Sequence, residues 1–580
     1  MTARVEDVTP AKRSMREALA VYLERQTLAM MVLGFAAGLP NLLIFDTLSA
    51  WLRESGLSLQ VIGYFSLATL AYSFKFLWAP LIDRTKVPVL TSLFGHRRSW
   101  MLICQGLIVL GLWLVASTDP KTQLGLMAAF AVFVGFASAT QDIVIDAWRI
   151  EAAEISKQGA MAAAYQWGYR VAMIVAGAVP LFIAQAYGWN FSYAVMALLM
   201  AVGMGGVLFA PCEKQHALRP VHTDGITPSP LAETLEWTLR LAAILAGALI
   251  LGSGLSADAT AMTSVFSALG LEGPRAAIAA AWKGPGGVWY QFAGVVAGFA
   301  IIAIATIPIP GKRTRPGAYL HAALGDPLRD FFQRYGGVAS LILALICSYR
   351  LSDFVLNIMN PFYLDLGFTL GEIAEVRKIF GVLASLIGVF AGGLAVARIG
   401  LLRALILGAL SGPLSNFIFI WLATRGHDVS GLFVAIALDN VLSGFAGTCL
   451  IAYMSSLTSK GFTATQYALF SSLYSLPGKL IASQSGRIVE NAARAADSGG
   501  PFSFLTGLFQ SLPPESFSQA LERSSVSPAA LGAGYTVFFL YSSAIGILAI
   551  ALSAIVVWRQ SRNARERSAT TETAVPAGGS

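Results

Sequence analysis

Two carboxylates one helical turn apart, Asp142 and Asp146, sit inside a long apolar stretch, in the run Ala137-Ser-Ala-Thr-Gln-Asp-Ile-Val-Ile-Asp-Ala-Trp-Arg149. An ionised carboxylate in hydrocarbon costs a few kcal/mol by insertion scales, so it persists where it faces a bundle interior or water. The same argument picks out Asp46, Lys75, Arg170, Arg350, Asp353, Asp439 and Lys479, which also fall in apolar stretches and whose signs nearly balance. Gln141 adjoins Asp142, Gln166 and Arg170 are one turn apart, and Arg350, Asp353 and Asn357 share one helical face. Such groups can hold an anionic polar ligand, and a carboxylate beside an arginine can exchange a proton as that ligand arrives. They can equally form a fixed salt-bridge network joining helices. Asp142 is the first candidate for binding or proton coupling, with Arg170 as its expected partner. Asp146, beside Arg149 near the boundary of the stretch, belongs with a gate.

The elements that must position these groups follow from composition. Of 580 residues, 56% are hydrophobic and only 12% charged, against roughly a quarter charged in a soluble domain. The apolar runs are long enough to cross ~30 Å of hydrocarbon and too long for barrel strands, so the chain is an all-α integral membrane protein. The expected spans are Leu28 to Trp51, Ser58 to Ile82, Trp100 to Ala116, Leu124 to Trp148, Ala160 to Tyr187 and Phe191 to Ala210, then a pair, Trp237 to Leu251 and Trp289 to Pro308. A second six follows: Gly337 to Leu364, Gly371 to Ala397, Leu401 to Thr424, Gly431 to Leu457, Gln466 to Val489 and Tyr535 to Trp558. The layout of six, two and six makes about 14 helices.

Lys and Arg cluster before the first span, after the second, fourth and sixth, and after the last, which the positive-inside rule reads as one cytoplasmic face carrying both termini. The net charge of +8 therefore needs no nucleic acid to explain it. The division expected is a cytoplasmic segment at 1–26, a six-helix bundle at 27–210, linkers with the inserted helix pair at 211–335, a second six-helix bundle at 336–560 with an outside loop near 491–530, and a disordered cytoplasmic tail at 561–580. Gly38-Leu-Pro40-Asn41 marks the first span, where proline frees a carbonyl for water, a side chain or a substrate, or simply kinks the helix for packing. Pro477-Gly478-Lys479 repeats the theme.

Several chemistries are excluded. Cys104, Cys212, Cys347 and Cys449 are scattered with no metal or redox spacing, and all five histidines, His96, His216, His222, His321 and His427, fall in expected loops. No Gly-x-x-x-x-Gly-Lys-Ser/Thr nucleotide loop is present, no signal peptide is visible, and no catalytic constellation emerges. No cofactor and no metal are expected, and the chain is not read as an enzyme.

The turn after the second span, Ala79-Pro-Leu-Ile-Asp83-Arg84 then Gly95-His-Arg97-Arg98, resembles the loop signature of the major facilitator superfamily. That resemblance implies that Asp83, Arg84, Arg97 and Arg98 form a cytoplasmic latch; the alternative is ordinary anchoring charge. A weaker echo lies at Ala391-Gly-Gly393 to Arg398-Ile-Gly400 and Arg403, as internal duplication would produce. Together with Phe74-Lys-Phe-Leu-Trp-Ala-Pro80, Gly168-Tyr-Arg170, Pro327-Leu-Arg-Asp-Phe-Phe332, Arg403-Ala-Leu405 and Phe462-Thr-Ala-Thr-Gln-Tyr-Ala-Leu469, these motifs resemble the AmpG muropeptide permeases. The resemblance implies a proton-driven importer of anhydromuropeptides in the inner membrane of Gram-negative bacteria, serving peptidoglycan recycling and beta-lactamase induction signalling. The lipid bilayer is its surrounding, and the sequence leaves the oligomeric state open, with a monomer expected. The acetyl-CoA transporters of the same superfamily share the Lys-x-Leu-Trp-Ala-Pro and Thr-Gln-Asp-Ile motifs and are the main alternative. A membrane-embedded envelope enzyme and a wall-fragment receptor rank below both.

Overall fold

The computed structural model describes residues 20–55, 72, 75–212, 226, 229–255, 259–268, 270–284, 286–307, 309, 313–354, 358–482, 485–518 and 520–573. Among them every regular element is helical, and eleven helices are long and apolar enough to cross a membrane. Of the three other expected spans, Leu28 to Trp51 is helical in segments, Ser58 to Ile82 lies mostly outside the described residues, and Gln466 to Val489 is divided between two helices. This is a multi-pass membrane protein.

The first half runs through α1 (Arg25–Leu42), a π-helical turn at Leu43–Thr47, α2 (Leu48–Glu54), α3 (Ala79–Arg84), α4 (His96–Ala116), α5 (Leu124–Ala152), α6 (Gln158–Tyr187), α7 (Trp189–Leu199) and α8 (Ala201–Phe209). The inserted pair is α9 (Pro230–Leu255) and α10 (Gly287–Thr306). The second half comprises α11 (Asp326–Tyr335), α12 (Ala339–Ser348), α13 (Leu351–Phe354), α14 (Gly381–Ile399), α15 (Leu401–Arg425), α16 (Val429–Ser456), α17 (Thr463–Ala482), α18 (Ser485–Asp497) and α19 (Pro528–Thr573).

The helix breakers explain several side chains. Pro40 has no N–H for the Ala36 carbonyl, four residues earlier, and Gln141 Nε2 supplies the missing donor at 2.9 Å. Pro180 frees the Ala176 carbonyl in the same way, and Thr47 Oγ1 donates to it at 2.8 Å. With no water in the bilayer core, a freed carbonyl must find a protein donor. Each proline therefore fixes its helix to a particular neighbour.

Glycine sets the closest helix contact. A Cβ on Gly168 would overlap the Met31 carbonyl oxygen, and one on Gly34 would overlap that of Tyr165, so α1 and α6 meet backbone to backbone, as small residues allow in membranes. In the inserted pair Gly247 and Gly298 play the same part. That pair joins the first-half core through Leu251 and Ile302, which share a cluster with Ala464 and Ala468 of α17.

Three expectations need correction. The tail is not structureless from Ser561: α19 continues to Thr573, because Arg, Glu, Ala and Gln after Trp558 favour helix and nothing breaks it. The segment near 491–530, expected as an outside loop, is partly helical and not separate from the bundle. Val489, Ala493 and Ala496 of α18, with Leu505, Phe509 and Phe517, are buried in the core of the second half. His96 begins α4, buried with its Nε2 2.7 Å from the Ile82 carbonyl, and His321 lies in the π turn His321–Gly325, so neither is a loop residue. His216 and His222 lie outside the described residues.

Candidate functional site

Two polar layers connect the halves, and the lower one lies at the end of the bundle whose turns carry the basic residues. Asp83, at the end of α3, is buried and accepts Arg97 Nη2 at 2.7 Å within its own half. Across the boundary it accepts the Ala464 and Thr465 backbone N–H groups at 3.3 and 2.9 Å and Thr465 Oγ1 at 2.7 Å. Ala464 and Thr465 occupy the first turn of α17, whose N–H groups have no intrahelical acceptor and carry the positive end of the helix dipole. Asp83 thus caps a helix of the opposite half. Arg97, fully buried, also holds Glu151 Oε1 at 2.7 Å.

Arg149 completes this layer. It donates to Ser455 Oγ of α16 at 2.7 Å, lies 5.0 Å from the centroid of the Tyr467 ring, and holds Asp146 Oδ1 at 3.3 Å. Gln466, next to Thr465, donates to Asp330 Oδ2 at 3.0 Å and to the Pro327 carbonyl at 2.8 Å, which fastens α11 to α17. Arg84 bonds the Ala322 carbonyl of the linker. Arg98 stands apart from the latch expected of it: it donates to the Val207 and Leu208 carbonyls at the C-terminal end of α8, at 3.0 and 3.2 Å, where a cation meets the negative helix end within its own half. The echo in the second half does not form a matching layer, since Arg398 and Arg403 are exposed while Gly400 simply closes α14 with φ of 90°.

The second layer lies deeper in the spans. Asp142 on α5 is buried, and its Oδ1 has no hydrogen-bond partner among the described residues. Lys75 and Asp146 are its charged neighbours, and Lys75 Nζ reaches Asp146 Oδ2 at 3.8 Å. Tyr72, Tyr165 and Tyr169 lie close enough to feel its charge. Tyr169 accepts Asn41 Nδ2 at 2.7 Å and Tyr72 donates to Ser138 Oγ at 2.6 Å.

Arg170 is not the partner of Asp142. About three turns of α6 separate it from Gln158, at the end that meets the gate, and the charged group within electrostatic reach of it is Arg350 of the second half. Arg170 is half-buried and its Nε has no hydrogen-bond partner among the described residues. Arg350 is held by Asp353 Oδ2 at 2.6 Å and by Ser443 Oγ at 2.6 Å, and its Nη1 occupies the space a side chain at Gly447 would need. Asp439 lies within electrostatic reach of both Arg350 and Asp353, and of Arg377. Gln166, half-buried on α6, is on this face. Gln141 is fully buried; its Nε2 is committed to the carbonyl that Pro40 frees, while its Oε1 has no hydrogen-bond partner among the described residues. The side chains of Asp46 and Lys479, and Asn357 altogether, lie outside the described residues.

Residues 30–312 match the family model described as Major Facilitator Superfamily. The anhydromuropeptide permease of Escherichia coli (strain K12) is 30% identical over 475 residues, covering 81% of this chain and 76% of that one. The chain belongs to the AmpG family of the major facilitator superfamily. A putative transporter AmpG 4 of Rickettsia felis is 29% identical over 472 residues, covering 81% of this chain and 91% of its own. Among solved structures, the proton:xylose symporter XylE bound to 6-bromo-6-deoxy-D-glucose superposes with a TM-score of 0.50 at 13% identity, covering 92% of this chain and 94% of that one, a likeness of fold. The family makes this AmpG-type protein a secondary transporter and not an enzyme.

Sequence reasoning missed Thr465, Gln466, Ser455 and Glu151. Thr465 and Gln466 belong to the Phe462 motif, and their place just after a polar turn marks a helix start with free N–H donors. Glu151, two residues beyond Arg149, carried no signal of its own. Tyr72 and Tyr467 were hidden among many membrane aromatics.

Proposed function

We propose that this protein imports anhydromuropeptides across the bacterial inner membrane in symport with protons, with both termini and the basic turns on the cytoplasmic side. The observation that carries the reading is the pair Arg170 and Arg350, contributed by opposite halves and within electrostatic reach of each other. Like charges held together in a partly buried place are stabilised by an anion between them, and a ligand that bridges two halves is what alternating access requires. The peptide carboxylates of a muropeptide supply such groups, while its sugars match the phenols of Tyr165 and Tyr169 nearby. The name of the Escherichia coli relative supports the same substrate.

The chain's own groups divide the work. Arg170 and Arg350 hold the anionic end, and Asp353 and Ser443 keep Arg350 extended. Asp142, with a free Oδ1 and Lys75 beside Asp146, takes up the proton when substrate rearranges the cluster; Asp46, Asp353, Asp439 and Lys479 are further candidates for that path. Asp83, Arg97, Asp146 and Arg149 close the cytoplasmic end, so the conformation described corresponds to the cytoplasm-closed carrier. Reconstituted protein in vesicles, offered labelled anhydromuropeptide or acetyl-CoA with and without an imposed pH gradient, tests this. Concentrative uptake of the muropeptide that depends on the gradient is expected. Preference for acetyl-CoA would reassign the cargo, and gradient-independent uptake would reject symport.

A further inference from the structure

A further contact between the halves lies on another seam at the latch end, where α6 meets α14. Gln158 places the start of α6 there, since its Nε2 donates to the Arg149 carbonyl at 3.3 Å. Glycines set the seam: a Cβ on Gly159 would stand 2.6 Å from Val396 Cβ and 3.0 Å from the Gly393 carbonyl oxygen. Deeper in, Trp167 Nε1 donates to the Leu386 carbonyl at 3.1 Å. A residue from before the first span enters this seam. The chain makes a 3-10 turn over Val21–Leu23 and straightens at Glu24, with ψ of 142°, before α1 begins. Tyr22 reaches from that turn across the boundary: its ring centroid lies 4.9 Å from that of Phe390 on α14, and its hydroxyl donates to the Phe390 carbonyl at 3.3 Å. A side chain at Gly393 would overlap that hydroxyl, so the glycine leaves the place that Tyr22 takes.

The turn itself is mounted on the first half. Both Glu24 carboxylate oxygens accept Lys157 Nζ at 2.8 Å, just before α6, and Oε2 also accepts Gln26 Nε2 at 2.7 Å. Arg25 Nε donates to the Phe209 carbonyl at 2.8 Å, where a cation meets the negative end of α8. A segment fixed to one half, with its ring and hydroxyl resting on the other, is pulled from those contacts when the halves rock apart. A phenol suits the task because it offers an apolar face and one donor on a stiff side chain. We propose that Val21 to Glu24 form a strap, with Tyr22 as its peg, which holds the cytoplasmic end shut on the α6–α14 seam and withdraws before that end opens. The inference rests on reading the described conformation as closed toward the cytoplasm, and not on the cargo or the proton. The strap biases the two-state equilibrium from outside the spans, through residues distinct from those of the Asp83 latch.

Pulsed electron–electron distance measurements on the full-length protein test this, with spin labels at Leu93→Cys and Arg403→Cys and the native cysteines replaced by alanine. Both labelled positions are exposed, one on each half at the basic end. The parent is expected mainly at the shorter distance. Tyr22→Ala should raise the ratio of long to short distances about tenfold at an unchanged melting temperature, through loss of the ring contact and the hydrogen bond. Tyr22→Phe, which keeps the ring, should raise it only about threefold, and Glu24→Gln, which loosens the mount but leaves the peg, should fall between. A short distance in the parent with no change in Tyr22→Ala overturns the strap and leaves the closed reading standing. A parent already at the long distance rejects the closed reading, and the strap with it. Should Tyr22→Ala fold poorly, Glu24→Gln decides alone, and an unchanged ratio there overturns the proposal.

Discussion

The latch around Asp83 and the charge cluster around Asp142 are both buried polar layers in the same membrane protein, yet they are built on opposite rules. Asp83 meets a guanidinium, two backbone N–H groups and a hydroxyl, so its charge is matched from both halves at once. Among the described residues Asp142 keeps a carboxylate oxygen with no hydrogen-bond partner and Arg170 a nitrogen with none, whereas Arg149 of the latch leaves only its Nε unused and engages both terminal nitrogens. A satisfied buried network is rigid and specifies one arrangement, while an unsatisfied one is costly and waits for a further group. The first layer therefore defines a conformation, and the second is where a proton and a ligand change the balance.

Substitutions can break this contrast, starting with the largest effect. Asp83→Ala removes one of the two carboxylates that hold the buried Arg97 and strands the Ala464 and Thr465 N–H groups, a loss of about 3–5 kcal/mol for breaking a buried pair. The expected result is a markedly lower melting temperature in detergent and crosslinking yields showing an open cytoplasmic end. A variant with unchanged accessibility there would remove Asp83 from the latch.

Asp142→Asn is nearly isosteric and relieves a buried charge, so stability should hold or rise while gradient-driven uptake falls by an order of magnitude or more. Gln141→Leu separates the neighbouring residue from that role. It orphans the carbonyl freed by Pro40, at about 1–3 kcal/mol for an unsatisfied buried acceptor, so the melting temperature should drop while transport per folded molecule stays near normal. Uptake lost without destabilisation would place Gln141 with the substrate after all.

The smallest effect is expected outside the bundle core. Glu372 closes a capping box with Thr369, whose backbone N–H it accepts at 2.8 Å, and lies 3.3 Å from His427 Nε2. The Thr369 backbone N–H chiefly, then the Thr369 hydroxyl and His427, hold its carboxyl below the usual range. A depressed pKa means the stabilisation is fully present above the ordinary glutamate value of about 4.3 and is lost as pH falls through the folded value. The melting temperatures of Glu372→Gln and the parent should thus differ slightly at pH 7 and converge in acid. A difference that persists at low pH would show that shape, and not charge, matters at that cap.

How far the sequence reveals all this depends on the range of the interaction. The spans were legible because hydrocarbon imposes a length and forbids unpaired backbone. The Asp83 and Arg97 motif was legible because its residues are close in sequence. Its target was not, because Thr465 is 382 positions away and an N-terminal helix turn has no distinctive side chain. The proline at position 40 announced a freed carbonyl, but the identity of its donor, Gln141, needed the fold. Arg170 was assigned to Asp142 of the neighbouring span, whereas in the fold it comes within electrostatic reach of Arg350 in the opposite half. The last helix shows the limit at the other extreme: polar composition after Trp558 read as disorder, although its residues are good helix formers.

The most direct test compares two assays on one protein, the inserted and folded Asp142→Asn carrier. Counterflow of labelled anhydromuropeptide needs only binding and alternating access, while accumulation against a gradient also needs the proton. The account predicts that counterflow persists and pH-driven accumulation disappears. Accumulation at the parental level would contradict the coupling role of Asp142, and with it the division between latch and cluster.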